Sequence, residues 1–228
     1  MVDITFYNAP GACSLAPHIL LLETGCPFHL VSAIIDESAT IFPPGFADIN
    51  PKQRVPVIVI NSVVTTEVPA VSLAVTNLRP ELNLMGANSV EKEQVLEWMC
   101  WISGTLHGQG FGHYFRPQRF STDIRAGRGI KQRAEECIQD CFAKIEKRII
   151  GLHCVGNHFT AVDAYLLVFY RWGSENGFQM NQNYPCFSSL IENLILRPTV
   201  RQAMMSEGIT MPSDRSLASD KALQSSRT

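Results

Sequence analysis

One cysteine stands where a strand is expected to turn into a helix. The run Tyr7-Asn8-Ala9-Pro10-Gly11-Ala12-Cys13-Ser14 follows the apolar stretch Ile4-Thr5-Phe6-Tyr7 and precedes a helical stretch from Leu15 to Thr24. A helix N-terminus has unpaired N–H groups and a partial positive charge, so it favours an anion. A thiolate is stabilised there, whether it is the protein's own or a ligand's. Such a setting pulls a cysteine from ~8.5 to roughly 3.5–7.5. The competing reading makes Cys13 a small buried apolar residue, and the segment by itself leaves both open.

Two further loops carry polar groups suited to a peptide. In Asn50-Pro51-Lys52-Gln53-Arg54-Val55-Pro56, a cis Val55–Pro56 bond would turn the Val55 N–H and C=O toward a ligand backbone, whereas a trans bond would not. Glu67-Val68 stands directly before an expected helix, whose first N–H groups can bind a carboxylate while Glu67 binds an ammonium beside it. A γ-glutamyl group offers that pair of charges. The plainer reading is that Glu67 complements its own helix. Farther along, Thr160 and Asp163 have the spacing of a capping box, a folding signal rather than a catalytic one. Cys137 and Cys141, and the set His153, Cys154 and His158, read as packing rather than as a metal site, and no metal is expected.

These groups need elements to hold them. Ile4–Tyr7, a helix to Thr24 stopped by Gly25, and a strand from Phe28 to Ile34 form a right-handed strand–helix–strand unit with parallel strands. Ser14 is placed to cap its helix, with Pro17 in the first turn. Val57–Ile60 and Val63–Thr66 flank the turn Asn61-Ser62 as an antiparallel hairpin, and a helix follows from Pro69 to about Leu78. After Asn83 only helices are expected. One carries Val95, Met99, Ile102 and Leu106, and the glycine-rich stretch 108–112 interrupts or ends it. Others span Ile130–Ile150, Asp163–Trp172 (apolar nearly all round, hence central), Phe187–Leu196 and Pro198–Met205. The polar, serine-rich stretch from Pro212 to Thr228 reads as a disordered tail. The expectation is an α/β first domain over 1–83, an all-helical domain over 84–211, and a tail over 212–228.

Composition excludes several partners. The chain has 228 residues, 46% of them apolar and 18% charged, with net charge −2. No basic stripe points to nucleic acid or an anionic membrane. Seven cysteines, irregularly spaced and without a CxxC pair, do not form a disulfide framework. The N-terminus lacks the features of a secretory signal, and no apolar run approaches the ~20 residues that span a bilayer. A reducing compartment, the cytoplasm, is expected.

Together the runs PGACSLAPH (10–18), LETG (22–25), INPKQRVPV (49–57), TEVPA (66–70), HFTAVDAYL (158–166) and RPTV (197–200) resemble the glutathione transferase superfamily, most closely its cysteine-containing beta class. The resemblance covers residues from about 3 to 210 and implies a thioredoxin-like first domain, a helical second domain and a homodimer. It implies that glutathione lies along the first domain, with Cys13 facing its sulfur and Val55 pairing with its cysteinyl backbone beside Pro56. It also implies that Glu67 and the Val68 N–H hold the γ-glutamyl end, with Arg54 placed for the glycyl carboxylate. Cys13, Ser14 and His107 are then the catalytic candidates. The acceptor pocket falls among Trp101, Phe111, Tyr114 and Phe115, where the glycines at 104, 108, 110 and 112 leave room for a large apolar ligand. Departures are Asn8 where a tyrosine is usual near the thiol, Val68 for serine or glycine, Gly108 for lysine, and no lysine in Asp36-Glu37-Ser38.

The resulting expectation is addition of a glutathione thiolate to a small apolar electrophile such as an activated olefin. The same site would serve an isomerase, in which the thiolate adds to a conjugated olefin, the single bond rotates and the thiolate leaves. Similar proteins are encoded with fungal polyketide pathways, including the pseurotin pathway. A carrier of apolar ligands and a Cys13 thiol–disulfide enzyme are the remaining alternatives; without a cysteine at position 16, the latter is limited to glutathione mixed disulfides.

Overall fold

The computed structural model describes residues 2–35 and 40–210. The stretch Asp36-Glu37-Ser38 and the expected tail lie outside them. Strand β1 (Ile4–Asn8), helix α1 (Leu15–Thr24) and strand β2 (His29–Ser32) form the first unit, and β1 and β2 are parallel with Thr5 opposite His29. The second strand ends sooner than expected, at Ser32, with the Ala33 N–H making a ladder bond to the Asn8 carbonyl at 2.7 Å. Ile34–Ile35 (β3) then pairs with Thr40–Ile41 (β4) as a separate two-stranded ribbon. A short helix α2 (Phe46–Ile49) leads to β5 (Val57–Ile60) and β6 (Val63–Thr66). Asn61 and Ser62 both have positive φ, 47° and 70°, the backbone that matches a tight hairpin to strand twist. The sheet order is β2-β1-β5-β6. This thioredoxin-like sheet packs with α1 and α3 (Val68–Thr76).

The remainder is helical. Asn88 caps α4 (Ser89–Trp101), its side chain accepting from the Glu91 N–H. The glycine-rich stretch does not break the helix. Residues Ile102–Phe111 continue it as a π-helix into α5 (Gly112–Phe115); the Gly112 N–H bonds the His107 carbonyl five residues back. Such wide turns are rare and concentrate at functional sites. A Cβ on Gly110 would lie 2.9 Å from Ile138 Cγ1, so this glycine admits α6 (Gly127–Arg148) rather than a ligand. On α6, Ala134, Ile138, Cys141 and Ile145 are buried as the periodicity predicts.

Helix α7 (Ala161–Glu175) is buried almost all round and forms the centre of the helical half. Its capping box closes as read: Asp163 Oδ2 accepts from the Thr160 N–H at 2.8 Å. Helices α8 (Met180–Asn183), α9 (Pro185–Leu194) and α10 (Pro198–Ser206) are the last among the described residues. The two halves share one core, since α1 packs on both α7 and α10. Arg197 and Thr199, where α10 begins, both bond the Glu23 carboxylate of α1.

Candidate active site

The loop before α1 is locked from all sides. Ser14 Oγ accepts from the Ala9 N–H at 3.1 Å and donates to the Ala9 carbonyl at 3.2 Å. Gly11 has φ +73°, a backbone that glycine adopts without the steric cost a Cβ brings. The N–H of Gly11 donates to Glu207 Oε2 at 2.8 Å. Its carbonyl accepts from Trp172 Nε1 at 3.0 Å and from Arg171 Nη2. The other Glu207 oxygen, Oε1, meets Asn8 Nδ2 at 3.0 Å and His18 Nδ1 at 2.7 Å. A carboxylate at the end of α10 therefore ties together β1, the cysteine loop and α1.

This geometry gives three of the singled-out residues partners of their own. Asn8 is fully buried and spends both ends of its amide on Glu207 and Ser32, so it faces the Glu207 hub rather than a ligand. Ser14 is fully buried too. Its hydroxyl closes the loop on Ala9 and makes no cap bond to α1. Cys13, for which the sequence leaves both readings open, is buried. Its pKa is pushed up to about 12, above all by burial; the N–H groups of Cys13 and Ser14 pull it down as a helix terminus should, and they lose. Glu67 raises it further and Arg54 lowers it. Cys13 remains a neutral thiol, donating to the Val55 carbonyl at 3.6 Å.

That carbonyl belongs to a cis Val55–Pro56 bond. The Val55 N–H, by contrast, makes no hydrogen bond among the described residues. Across from it, Glu67 has φ 73° and ψ 133°, a conformation unfavourable to a residue with a Cβ and concentrated at ligand sites. The Glu67 carboxylate is exposed and pairs with the Lys52 ammonium, which also donates to Thr66 Oγ1 at 2.7 Å. Val68, the first residue of α3, buries its side chain, so its departure from serine leaves the N–H and removes no packing. Arg54 is exposed, and its charge is felt at Cys13, His107 and Arg119.

His107 comes from the π-helix. Its Nδ1 lies 3.2 Å from the Tyr165 hydroxyl, and its ring packs against Phe169 and Trp172 at 5.7 and 5.5 Å. Burial first, and then Arg54, pull its pKa down to about 4, while Glu67 opposes them; the ring is neutral at ordinary pH. Of the expected pocket residues, Phe115 alone is exposed. It is 43% exposed and meets the Trp172 ring edge-on at 5.4 Å. Phe111 is fully buried, ringed by Phe142, Phe169 and Trp172, and is core. Trp101 packs with Trp98 at 5.5 Å and faces Arg148, apart from that cluster. Tyr114 lies under the Lys131 ammonium. It lines an open hollow of about 880 Å³ with Glu135, Glu136 and Asp140, a surface that no other expected site residue shares.

Cys13, Val55, Glu67, Arg54 and His107 thus converge; Asn8 and Ser14 are spent on the loop, Trp101 and Tyr114 have other neighbours, and Phe111 backs Phe115 and Trp172 from the core. Several contributors escaped the sequence reading. Lys52 and Tyr165 lie inside recognised runs without a role assigned to them. Arg171, Trp172 and Glu207 are joined to the loop only by tertiary folding. Arg116, which reaches Thr40 Oγ1 at 3.5 Å, lies close enough to Arg119 to lower its pKa together with burial and Arg54.

No family model matches the chain. It is 30% identical over 210 residues to Glutathione S-transferase GstA of Escherichia coli O157:H7, covering 90% of this chain and 98% of that one. It is 25% identical over 209 residues to Glutathione S-transferase GST-4.5 of Xanthomonas campestris, covering 89% and 98%. The structure of a sphingomonad glutathione S-transferase complexed with glutathione is 29% identical, with TM-score 0.76 over 90% of this chain and all of that one. A Sulfitobacter glutathione transferase homologue with bound glutathione, 24% identical, shares the fold at TM-score 0.81 over 92% of this chain and all of that one. With a sequence relative so similar along nearly its whole length, the chain belongs to the glutathione S-transferase family.

Proposed function

We propose that the protein is a glutathione transferase that adds the glutathione thiolate to an apolar electrophile, an activated olefin being the simplest. The observation that carries this reading is the open start of α3. Exposed Glu67 is held at positive φ there, opposite the unbonded Val55 N–H and within electrostatic reach of Cys13 and His107. A γ-glutamyl carboxylate would take the Val68 N–H, and its ammonium would displace Lys52 from Glu67. The cysteinyl backbone would pair with Val55, and the Arg54 guanidinium would meet the glycyl carboxylate. The thiol would then lie near Cys13 and His107, in a site walled by Phe115 and Trp172.

The bound thiol gives its proton to solvent. The sulfur lone pair attacks the β-carbon and forms the C–S bond. The olefin π pair moves onto the electron-withdrawing group, and a proton from water completes the adduct. Exposed Phe115 beside Trp172 favours an apolar acceptor. The domain division at residues 83 and 84 and a homodimer belong to the same proposal. Among the described residues no helix is long and apolar enough to cross a membrane.

Calorimetric titration with reduced glutathione, followed by incubation with a conjugated olefin, tests the reading. Saturable binding with loss of thiol supports conjugation. Binding with a change of olefin geometry and no loss of thiol replaces it with the isomerase. Absence of binding at several millimolar overturns both and leaves the apolar-ligand carrier.

A further inference from the structure

We propose that Tyr165 is a positioning residue that holds His107 as the tautomer protonated on Nε2, so that the cleft-facing edge of the ring donates a hydrogen bond. The inference rests on the glutathione reading only for what it donates to.

The geometry begins with Nδ1, 3.2 Å from the Tyr165 oxygen. Tyr165 is fully buried, and its phenol must place its proton on an acceptor or leave a costly unsatisfied donor. Burial first, and then the charges of Cys13 and Glu67, keep it a phenol, well above its ordinary pKa, while Ser103 acts the other way. A neutral imidazole has one N–H and one lone pair. With the lone pair on Nδ1, Tyr165 donates to His107 at 3.2 Å and its proton is used. With the proton on Nδ1, the phenol oxygen accepts from the ring and its own proton must turn away from the one well-formed hydrogen bond its hydroxyl makes among the described residues. The first arrangement wins by about the cost of one buried unmade bond.

The opposite edge, Nε2, has no hydrogen-bond partner among the described residues and is not sealed from solvent. Phe169 and Trp172 on α7 hold the ring plane. The other groups that bear on the ring are Arg54, which disfavours a charge on it, and Glu67, which favours one. Arg171 on α7 is occupied by Glu175 and Gly11. Because the ring is neutral, the position of its single proton decides what it does. An Nε2–H stabilises a thiolate; a bare Nε2 would instead hold the thiol in its protonated form.

Nitrogen NMR of the six histidines, with His107 assigned by His107→Gln, reads the tautomer without any ligand. The expected result is a proton on Nε2 in the native protein and a mixture or an Nδ1 proton in Tyr165→Phe. With glutathione bound, thiolate absorbance against pH should titrate about 1 unit higher in Tyr165→Phe, with kcat roughly tenfold lower below that pKa and glutathione affinity unchanged. A native His107 protonated on Nδ1 overturns the proposal, as does a Tyr165→Phe variant with unaltered tautomer and thiol titration. Where Tyr165→Phe does not fold, the native tautomer and the milder Ser103→Ala variant decide. A failure of the glutathione reading is separable: it leaves the ligand-free tautomer on Nε2 but gives no binding.

Discussion

Two helices begin near each other in the first half of the chain, and they differ in what their N-termini are free to do. At α1 the terminal loop is saturated. Ser14 closes on Ala9, Glu207 holds the Gly11 N–H, and Arg171 with Trp172 holds its carbonyl. Cys13 is buried there, and desolvation outweighs the helix amides. At α3 the preceding residue, Glu67, is exposed and held at positive φ, its partner a flexible lysine. A helix dipole is common to both, so the dipole alone does not make an anion site. The difference lies in whether the terminal groups are already spent and whether water reaches them. By that criterion α1 is a positioning element, and α3 is the terminus that the proposed function assigns to the ligand.

The comparison breaks most visibly at Glu207. Its side chain is 1% exposed and faces His18, Asn8 and Gly11. Glu207→Ala leaves a buried imidazole, an amide and a backbone N–H unpaired, a loss of about 3–5 kcal/mol for a broken buried pair. In a chain of this size that lowers Tm by roughly 10 °C or more. Calorimetric melting checks it; a shift within about 2 °C would mean that the α1 loop is held by its own turn and not by α10.

Glu207 also shows why only part of the site was legible. The strand–helix–strand unit, the 57–66 hairpin and the α7 capping box all rest on neighbours in sequence, and their residues announce them. Glu67, Val55 and Cys13 lie in short runs whose local backbone does the positioning, so the runs carry the information. The hub does not: Glu207 and His18 are 189 residues apart, and neither has an unusual neighbourhood. Ser14 was misread for a related reason. As a residue it suits a helix cap, yet the tight turn at Gly11 brings Ala9 within reach and takes its hydroxyl. Phe111 and Trp101 were assigned to a pocket by chain position, whereas the π-helix fixes which aromatic side chains face inward. Ordinary 3.6-residue periodicity does not encode that turn.

The second prediction concerns His107, the group that overlooks the cleft from the helical half. Its pKa lies below its unfolded value of ~6.5, at about 4. A depressed base contributes stability that is fully present above the unfolded value and is lost as pH falls through the folded one. Between about pH 6.5 and 4 the protein should lose about 3 kcal/mol from this residue. Urea unfolding across that window should therefore show a smaller slope for His107→Gln than for the native chain. Equal slopes would place the ring in water and remove it from the site.

A smaller loss is expected at the start of α3. Glu67→Gln keeps the shape of the side chain and removes the charge that an ammonium would meet. Glutathione affinity should fall roughly tenfold or more, the worth of a charge-assisted bond. Melting temperature should hardly move, because the Lys52–Glu67 pair is exposed. Weaker folding with intact affinity would reverse the roles of the two helix starts.

Cys13 sharpens the comparison by doing little. A neutral thiol is a poor nucleophile, so a Cys13 mixed-disulfide cycle should be slow across the ordinary pH range. Iodoacetamide should modify this residue without an inflection between about pH 6 and 9. Cys13→Ala removes one weak donor from the Val55 carbonyl and leaves the Val55 N–H and the α3 terminus in place. Conjugation, in which glutathione's own sulfur forms the bond, should then drop by no more than about tenfold, the worth of one neutral hydrogen bond. Thiol–disulfide exchange through the protein should vanish altogether. If conjugation vanished as well, with the fold and glutathione affinity intact, the α1 terminus would be part of the chemistry rather than its support. The burial that silences Cys13 in the ligand-free protein would then have to be relieved when glutathione binds.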